Sequence, residues 1–269
     1  MVGLIVGEGN LPRFVITNLK KQKKEFLILD LTKNKKYKKY KNSYPFDITQ
    51  LAKAISFLKK KNCKRILLVG KVIRPNLSKI LFNPKLLLYL PRLLKVFKKG
   101  DSHLLSEIIK IFKENNITVL SSMYYSPELI LSKSLSTKSS NKDKEVSINE
   151  KKGLKILKNL SQFDFGQTII LNNGYVVAIE GPEGTNETIK RAGNIAKKYN
   201  FRNKSIMIKV PKQKQDLRVD MPVIGLQTIR LCINNNIGGI IVKKNQTIIL
   251  EKNKIVKLIN KNNFLLKTI

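Results

Sequence analysis

The sequence predicts an α/β chain: an N-terminal Rossmann-like domain on a parallel sheet, followed by a mixed α+β C-terminal domain. Three observations lead there. Short apolar runs alternate with helical patterns through the first 120 residues, the order a parallel sheet with crossover helices requires. A Ser-, Lys- and Asn-rich stretch with few large apolar residues then reads as a linker over 132–150. Beyond it, Asn172-Asn173-Gly174 marks a hairpin, which brings antiparallel pairing into the second half. The expected division is therefore 1–131, the linker 132–150, and 151–269.

In chain order, Leu4 to Val6 is the first strand and a helix follows from about Pro12, since proline is favoured in a first helical turn. Phe26 to Leu31 is the second strand, Ile48 to Lys60 a helix, Ile66 to Val69 a strand, and Ser102 to Asn115 a helix leading into the strand Ile117 to Leu120. The second half opens with a helix over Lys151 to Leu160. Two strands, Thr168 to Leu171 and Tyr175 to Ile179, flank the Asn-Gly turn. A helix over Thr185 to Lys198, a strand over Ser205 to Val210 and a helix over Gln227 to Asn236 follow, and Ile240 to Val242 is expected to pair with Thr247 to Leu250.

The chain carries 53 Lys+Arg against 18 Asp+Glu, a formal charge of +35, yet only 8 of the basic residues are arginine. Lysines are spread through every segment, and abundant Asn and Ile accompany them, as an AT-rich coding sequence produces without selection for a ligand. The charge reads first as a solvated surface; an anionic membrane surface or phosphate is the alternative partner. A general nucleic-acid binder fits poorly, because arginine is scarce and no binding motif is recognised. Cys63 and Cys232 lie far apart in apolar contexts and form neither a disulfide framework nor a metal cluster, so a reducing compartment is expected. The first residues read as a strand and not as a signal peptide, and no apolar run reaches the length of a membrane span. His103 is the only histidine. Multi-histidine metal centres and histidine relays are thereby excluded, which leaves carboxylates, lysines, arginines or a hard oxygen-liganded cation.

Acid is scarce, so its placement carries information. Asp216 and Asp220 flank Arg218 just ahead of Pro222 and Gly225, on a segment that Pro222 keeps extended or turning. They are either surface acids neutralising lysines or hard ligands for Mg²⁺, which takes one or two carboxylates plus substrate phosphate oxygens. Gly7-Glu8-Gly9-Asn10-Leu11-Pro12 follows the first strand and opens a helix, a position that favours a phosphate. Asp30 ends the next strand near where a ribose-binding acid sits in dinucleotide folds, although Pro12 replaces the third glycine of that fingerprint. Gly70-Lys71-Val72-Ile73-Arg74-Pro75 occupies the same position after its own strand, so Lys71 and Arg74 can meet the same phosphate or form an ordinary turn. Leu77 to Phe97 is apolar with basic residues and two prolines: a pair of buried helices, or a surface for acyl chains. Asp101 and Ser102 read as helix caps. Glu180, Glu183 and Glu187 surround a Gly-Pro turn; Glu187 complements a helix dipole, and the other two leave metal or substrate binding open.

Six motifs then fall in order: Gly3-Leu4-Ile5-Val6-Gly7-x-Gly9-x-Leu11-Pro12, Gly70-x-Val72-x-Arg74-Pro75, Lys99-Gly100-Asp101, Asp164-Phe165-Gly166-Gln167, Ala178-Ile179-Glu180-x-x-Glu183-Gly184-Thr185, and Gln215-Asp216-x-Arg218-x-Asp220-x-Pro222-x-x-Gly225-x-x-Thr228. Over nearly its whole length the chain resembles the LpxI-type UDP-2,3-diacylglucosamine pyrophosphatases. The resemblance implies Mg²⁺-dependent hydrolysis of UDP-2,3-diacylglucosamine at the α-phosphorus, giving UMP and 2,3-diacylglucosamine 1-phosphate in lipid A synthesis. It implies a UDP-binding domain over 1–131 and a lipid-binding, catalytic domain over 151–269. The catalytic set expected is Asp220, Arg218 and Glu183; the metal set Asp220, Asp216 and Glu180. Substrate binding is expected at Gly7, Gly9, Asn10, Leu11, Pro12, Lys71, Arg74, Asp101, Gln167, Thr185 and Thr228. Ser102 and Asn186 replace acids of the family pattern and are not carried over as ligands. A cytoplasmic enzyme is implied, with peripheral contact to the anionic inner membrane and a homodimer left open; a non-catalytic sugar-nucleotide or lipid carrier is the rival reading.

Overall fold

The computed structural model describes residues 1–72, 89–97, 100–135 and 143–269. Arg74 and most of the apolar stretch 77–97 lie outside the described residues. The chain divides into two compact units, Met1–Pro127 with Asp216–Asp220, and Glu128–Gln215 with Met221–Ile269.

In the first unit, β1 (Val2–Val6), β2 (Phe26–Asp30), β3 (Ser43–Pro45), β4 (Arg65–Val69) and β5 (Thr118–Leu120) form one sheet in the order β3-β2-β1-β4-β5. Every pair is parallel, with Val2 opposite both Phe26 and Arg65. Central β1 is almost wholly buried, which is why it reads as an unbroken apolar run. Helices α1 (Leu11–Lys21), α2 (Leu51–Lys60), α3 (Leu90–Phe97) and α4 (Asp101–Glu114) accompany the strands. α1 buries Leu11, Val15, Ile16 and Leu19 at helical spacing. Leu58, Ile66, Ile111 and Phe112 belong to one core cluster, against which Leu93 and Val219 pack. β1 is followed by a strand on one side and β4 lies on the other, so the strand order reverses between β1 and β4. The carboxyl ends of these strands are where parallel sheets place ligands.

The second unit has a five-stranded sheet in which the last strand of the chain lies at one edge and the Asn-Gly hairpin at the other. It is built from β6 (Thr168–Asn172), β7 (Tyr175–Ile179), β8 (Ser205–Lys209), β10 (Ile237–Val242) and β12 (Leu265–Thr268). β8, β10 and β12 are parallel, and β6 runs antiparallel to both β7 and β8. Alternate residues face opposite sides. Ile170, Met207, Ile240 and Leu266 pack with Ile189, Ile229 and Ile255 from α6 (Thr185–Lys198), α7 (Leu226–Asn234) and α8 (Lys252–Lys261). Ile169, Leu171, Ile208 and Ile241 pack with Leu157 of α5 (Asp143–Leu160). Asn173 (φ 46°) and Gly174 (φ 77°) form the expected tight turn, both in the left-handed region that such hairpins demand.

The second half differs from expectation at one pairing. β10 does not pair with Thr247 to Leu250; β11 (Ile248–Ile249) lies parallel to β9 (Val223–Ile224) in a separate two-stranded sheet. The intervening Lys-Lys-Asn-Gln reads as a hairpin loop, whereas β10 runs through α8 to its parallel neighbour β12, the crossover unit of a parallel sheet. Residues 143–150 form the first turns of α5. Both cysteines are free and buried, and burial pushes both thiols up from their ordinary range.

Candidate active site

At the carboxyl end of the first unit's sheet, the loops after β1 and β4 are stitched together. Glu8 N donates to Lys71 O at 2.7 Å and Lys71 N donates to Glu8 O at 2.9 Å. The approach is close enough that a Cβ on Gly7 would stand 2.4 Å from Lys71 O. Gly70 adopts φ +94°, and a Cβ there would meet Glu8 O at 2.7 Å and a Pro12 ring carbon at 2.9 Å. Both glycines therefore serve backbone apposition. Gly70→Ala is expected to lower the stability of this unit by about 1–3 kcal/mol, read from urea unfolding.

The Glu8 carboxylate accepts from Lys33 N at 2.9 Å and pairs with Lys36, contacts that lower its pKa, with Lys36 the larger cause. Asp30 is buried and its oxygens accept from Thr32 N, Thr32 Oγ1 and Tyr37 N at 2.7–2.9 Å. It thus caps the turn after β2, and the ribose-acid reading has no support in its contacts. α1 opens at Asn10, with no acid in its first turn and with Leu11 and Pro12 buried beneath it. The first-turn N-H groups and the exposed Lys71 side chain make this end cationic. Asp101 opens α4 after Gly100 (φ +113°); its side chain lies outside the described atoms.

Asp216 to Asp220 joins this unit although it comes late in sequence. Ser122 N, beyond β5, donates to Arg218 O at 2.6 Å, and Val219 packs on the core. Val219 N and Asp220 N both donate to Asp216 O, at 3.1 and 3.0 Å, which closes a turn. Asp216 accepts from Arg218 Nε at 3.0 Å and Arg218 Nη2 at 2.6 Å, so the guanidinium holds its carboxyl below the usual range. Asp216 therefore spends its charge on Arg218 and its carbonyl on the turn that carries Asp220.

The second unit has its own polar cluster where β7 and β8 end and α6 begins. Lys209 is 5% exposed. Its Nζ donates to Thr185 Oγ1 at 2.8 Å and Thr168 Oγ1 at 3.1 Å, and stands 3.5 Å from Glu180 Oε2. Thr185 Oγ1 donates to Glu180 Oε1 at 2.8 Å, while Glu180 Oε2 is buried without a hydrogen-bond partner among the described residues. Beside it, Lys212 pairs with Asp164, and Gln215 Oε1 accepts from Gln167 Nε2 at 3.1 Å and Lys212 N at 2.9 Å. Phe163 and Phe165 are exposed at this end of α5. Thr228 is half-buried in the first turn of α7.

Glu183 faces elsewhere. It accepts from Arg191 Nη2 at 2.8 Å and Thr188 Oγ1 at 3.2 Å, and chiefly through Arg191 its pKa falls to about 2. Whatever stability this contact gives is present above pH about 4.5, the ordinary value, and fades as pH falls toward about 2. Arg191→Ala is expected to raise the Glu183 pKa from about 2 toward the ordinary value, followed by carboxyl NMR titration.

The structure thus gathers Gly7, Gly9, Asn10, Leu11, Pro12 and Lys71 at one sheet edge, and places Asp216, Arg218 and Asp220 in the same unit. Glu180, Thr185 and Gln167 share an end of the other unit. Lys209, Lys212 and Ser122 were not singled out by sequence, whereas Asp164 stood in one of the six motifs without an assigned role. Among the described residues no three His, Cys, Asp or Glu side chains gather as a metal cluster. The donor chemistry of the Asp216–Asp220 turn fits the sparser Mg²⁺ mode, with one carboxylate and the remaining positions filled by phosphate oxygens and water.

The LpxI N-terminal domain model matches residues 1–129 and the LpxI C-terminal domain model matches residues 132–267. Among curated proteins, UDP-2,3-diacylglucosamine pyrophosphatase LpxI of Caulobacter vibrioides is 24% identical over 260 residues, covering 95% of this chain and 92% of that protein.

Proposed function

The chain belongs to the LpxI family, and from that premise we propose that it hydrolyses UDP-2,3-diacylglucosamine to UMP and 2,3-diacylglucosamine 1-phosphate by attack of water at the α-phosphorus. The observation that carries the reading is the turn Asp216–Asp220, which leaves the second half of the sequence to join the unit whose glycine loops and α1 N-terminus suit phosphates. A carboxylate carried in the same unit as a sheet end suited to phosphates supports phosphoryl-transfer chemistry, in which positioning and charge stabilisation supply most of the catalysis.

In this reading the first-turn N-H groups of α1 and Lys71 hold the nucleotide phosphates. Arg218 supports the turn through Nε and Nη2, and its guanidinium charge would offset charge that develops on the pyrophosphate. Asp220 is the residue that would hold Mg²⁺ together with substrate oxygens, Asp216 being its neighbour in the turn; the ion would polarise the α-phosphoryl group. The water oxygen bonds to the α-phosphorus as the bridging bond breaks, so UMP gains the water oxygen and the acylated sugar 1-phosphate leaves. We assign the acylated sugar to the second unit, where Phe163 and Phe165 are exposed beside Lys212 and Asp164, and take Thr185, Gln167 and Thr228 as candidate contacts to it; Glu180, expected among the metal ligands, engages Lys209 and Thr185.

Incubation with UDP-2,3-diacylglucosamine and Mg²⁺, with and without chelator, tests this by mass spectrometry. Release of UMP and the acylated sugar phosphate that chelator suppresses is expected. Tight binding without UMP release would instead favour a carrier.

A further inference from the structure

A second surface, on the second unit, carries features the proposed reaction does not use. Tyr175 and Tyr199 are 65% and 64% exposed, and Ile148 is 54% exposed. Phe201 lies between the tyrosines, its ring centroid 6.5 Å from Tyr175 and 6.4 Å from Tyr199. Ile148 borders the same patch, because a Cβ on Gly174 would stand 3.3 Å from its Cγ2. Isolated exposed apolar residues are ordinary, whereas a contiguous group asks for a partner.

The patch is held rigidly. α6 ends in a Schellman arrangement: Asn200 at φ 51°, Asn200 N donating to Lys197 O at 3.2 Å, and Phe201 N donating to Ala196 O at 3.0 Å. That reversal fixes Tyr199 and Phe201. Gly174 N donates to the Oδ1 of buried Asn149 at 2.7 Å, which pins the hairpin carrying Tyr175 to α5 beside Ile148. Asn172 Nδ2 donates to Asn203 O at 2.8 Å, joining the hairpin to the loop after α6.

The charge around it is mainly positive; Glu145 of α5, one turn before Ile148, accepts from Asn203 Nδ2 at 3.0 Å. No acid occurs between Glu187 and Asp216, while nine lysines and arginines do. Lys197, Lys198, Arg202 and Lys204 are all exposed, and Lys198 Nζ lies 5.7 Å from the Tyr199 ring centroid.

We propose that Ile148, Tyr175, Tyr199 and Phe201, ringed by Lys197, Lys198, Arg202 and Lys204, form a docking surface for an anionic phospholipid bilayer. Tyrosine puts an apolar ring and a wet hydroxyl at the headgroup level, and the lysines complement the lipid charge. The aliphatic Ile148 and the ring-on-ring packing of the aromatics suit insertion into headgroups better than base stacking, which needs open ring faces. None of these residues belongs to the site described above, so the surface stands whether or not that reaction does.

Vesicle flotation of the full chain tests it. Phosphatidylcholine vesicles with roughly one-third phosphatidylglycerol should carry the protein up, and pure phosphatidylcholine should not. Tyr175→Ser/Tyr199→Ser, both exposed, should weaken binding by about tenfold or more. Lys197→Gln/Lys198→Gln should weaken it by roughly fivefold per residue, whereas Lys23→Gln/Lys24→Gln in the first unit should change it by less than about twofold. Circular dichroism and melting confirm that each variant is folded. Wild-type binding by the tyrosine variant would overturn the proposal, as would equal losses from both lysine pairs or no vesicle binding at all. Patch-dependent binding of a single-stranded oligonucleotide in place of vesicles would overturn it too.

Discussion

Asp220→Ala is expected to lower UMP release by about 10³-fold or more. Its backbone N-H, not its carboxylate, closes the turn on Asp216 O, and the turn is anchored elsewhere, by Val219 in the core and by Ser122 on Arg218 O. These anchors remain in the variant. Asp220→Asn should fall nearly as far, because it keeps the size and loses the charge that binds a hard cation and orients water. Turnover within about tenfold of wild type for a folded Asp220→Ala protein would remove this carboxylate from the chemistry.

The largest effect on stability is expected at Lys209, which lies outside the proposed catalytic set. Lys209→Met leaves the Glu180 carboxylate mostly buried, its cationic neighbour at 3.5 Å gone, and it strips Thr168 Oγ1 and Thr185 Oγ1 of a donor. Breaking a buried pair from one side costs about 3–5 kcal/mol, because the remaining charge is uncompensated. For a unit of this size that lowers the melting midpoint by roughly 10 °C or more. Adding Glu180→Leu should restore most of the loss, since removing both partners leaves no buried charge. Scanning calorimetry decides: a double variant no more stable than Lys209→Met would mean that the loss comes from packing and not from the unpaired carboxylate.

The architecture was legible because it rests on local signals. Buried β1 reads as a continuous apolar run, α1 as an amphipathic stripe behind Pro12, and Asn173-Gly174 as a turn that only left-handed backbone can make. Strand partners were less legible: a period of two identifies Ile248 and Ile249 as strand but does not say that they pair with Val223 and Ile224. At the site, the scarcity of acid and the placing of Pro222 drew attention to Asp216 and Asp220. Nothing local encodes the migration of those five residues into the first unit, which depends on Val219 finding the core and Arg218 O finding Ser122 N. Asp216 looked like a twin of Asp220, yet its contacts make it the pillar of the turn. Lys209 was invisible, because a lysine ending a strand reads as solvent-facing unless the threonines and glutamate that enclose it are known. Asp30 fitted the position of a ribose acid and instead caps its own loop, since Thr32 and Tyr37 take both oxygens.

Attack of water on the α-phosphorus at the carboxyl end of the first unit's sheet would leave its mark in the products. Turnover of UDP-2,3-diacylglucosamine in ¹⁸O-labelled water, with both products weighed by mass spectrometry, tests it most directly. Label is expected in UMP alone. Label in the acylated sugar phosphate would contradict it, because water would then have attacked the other phosphorus.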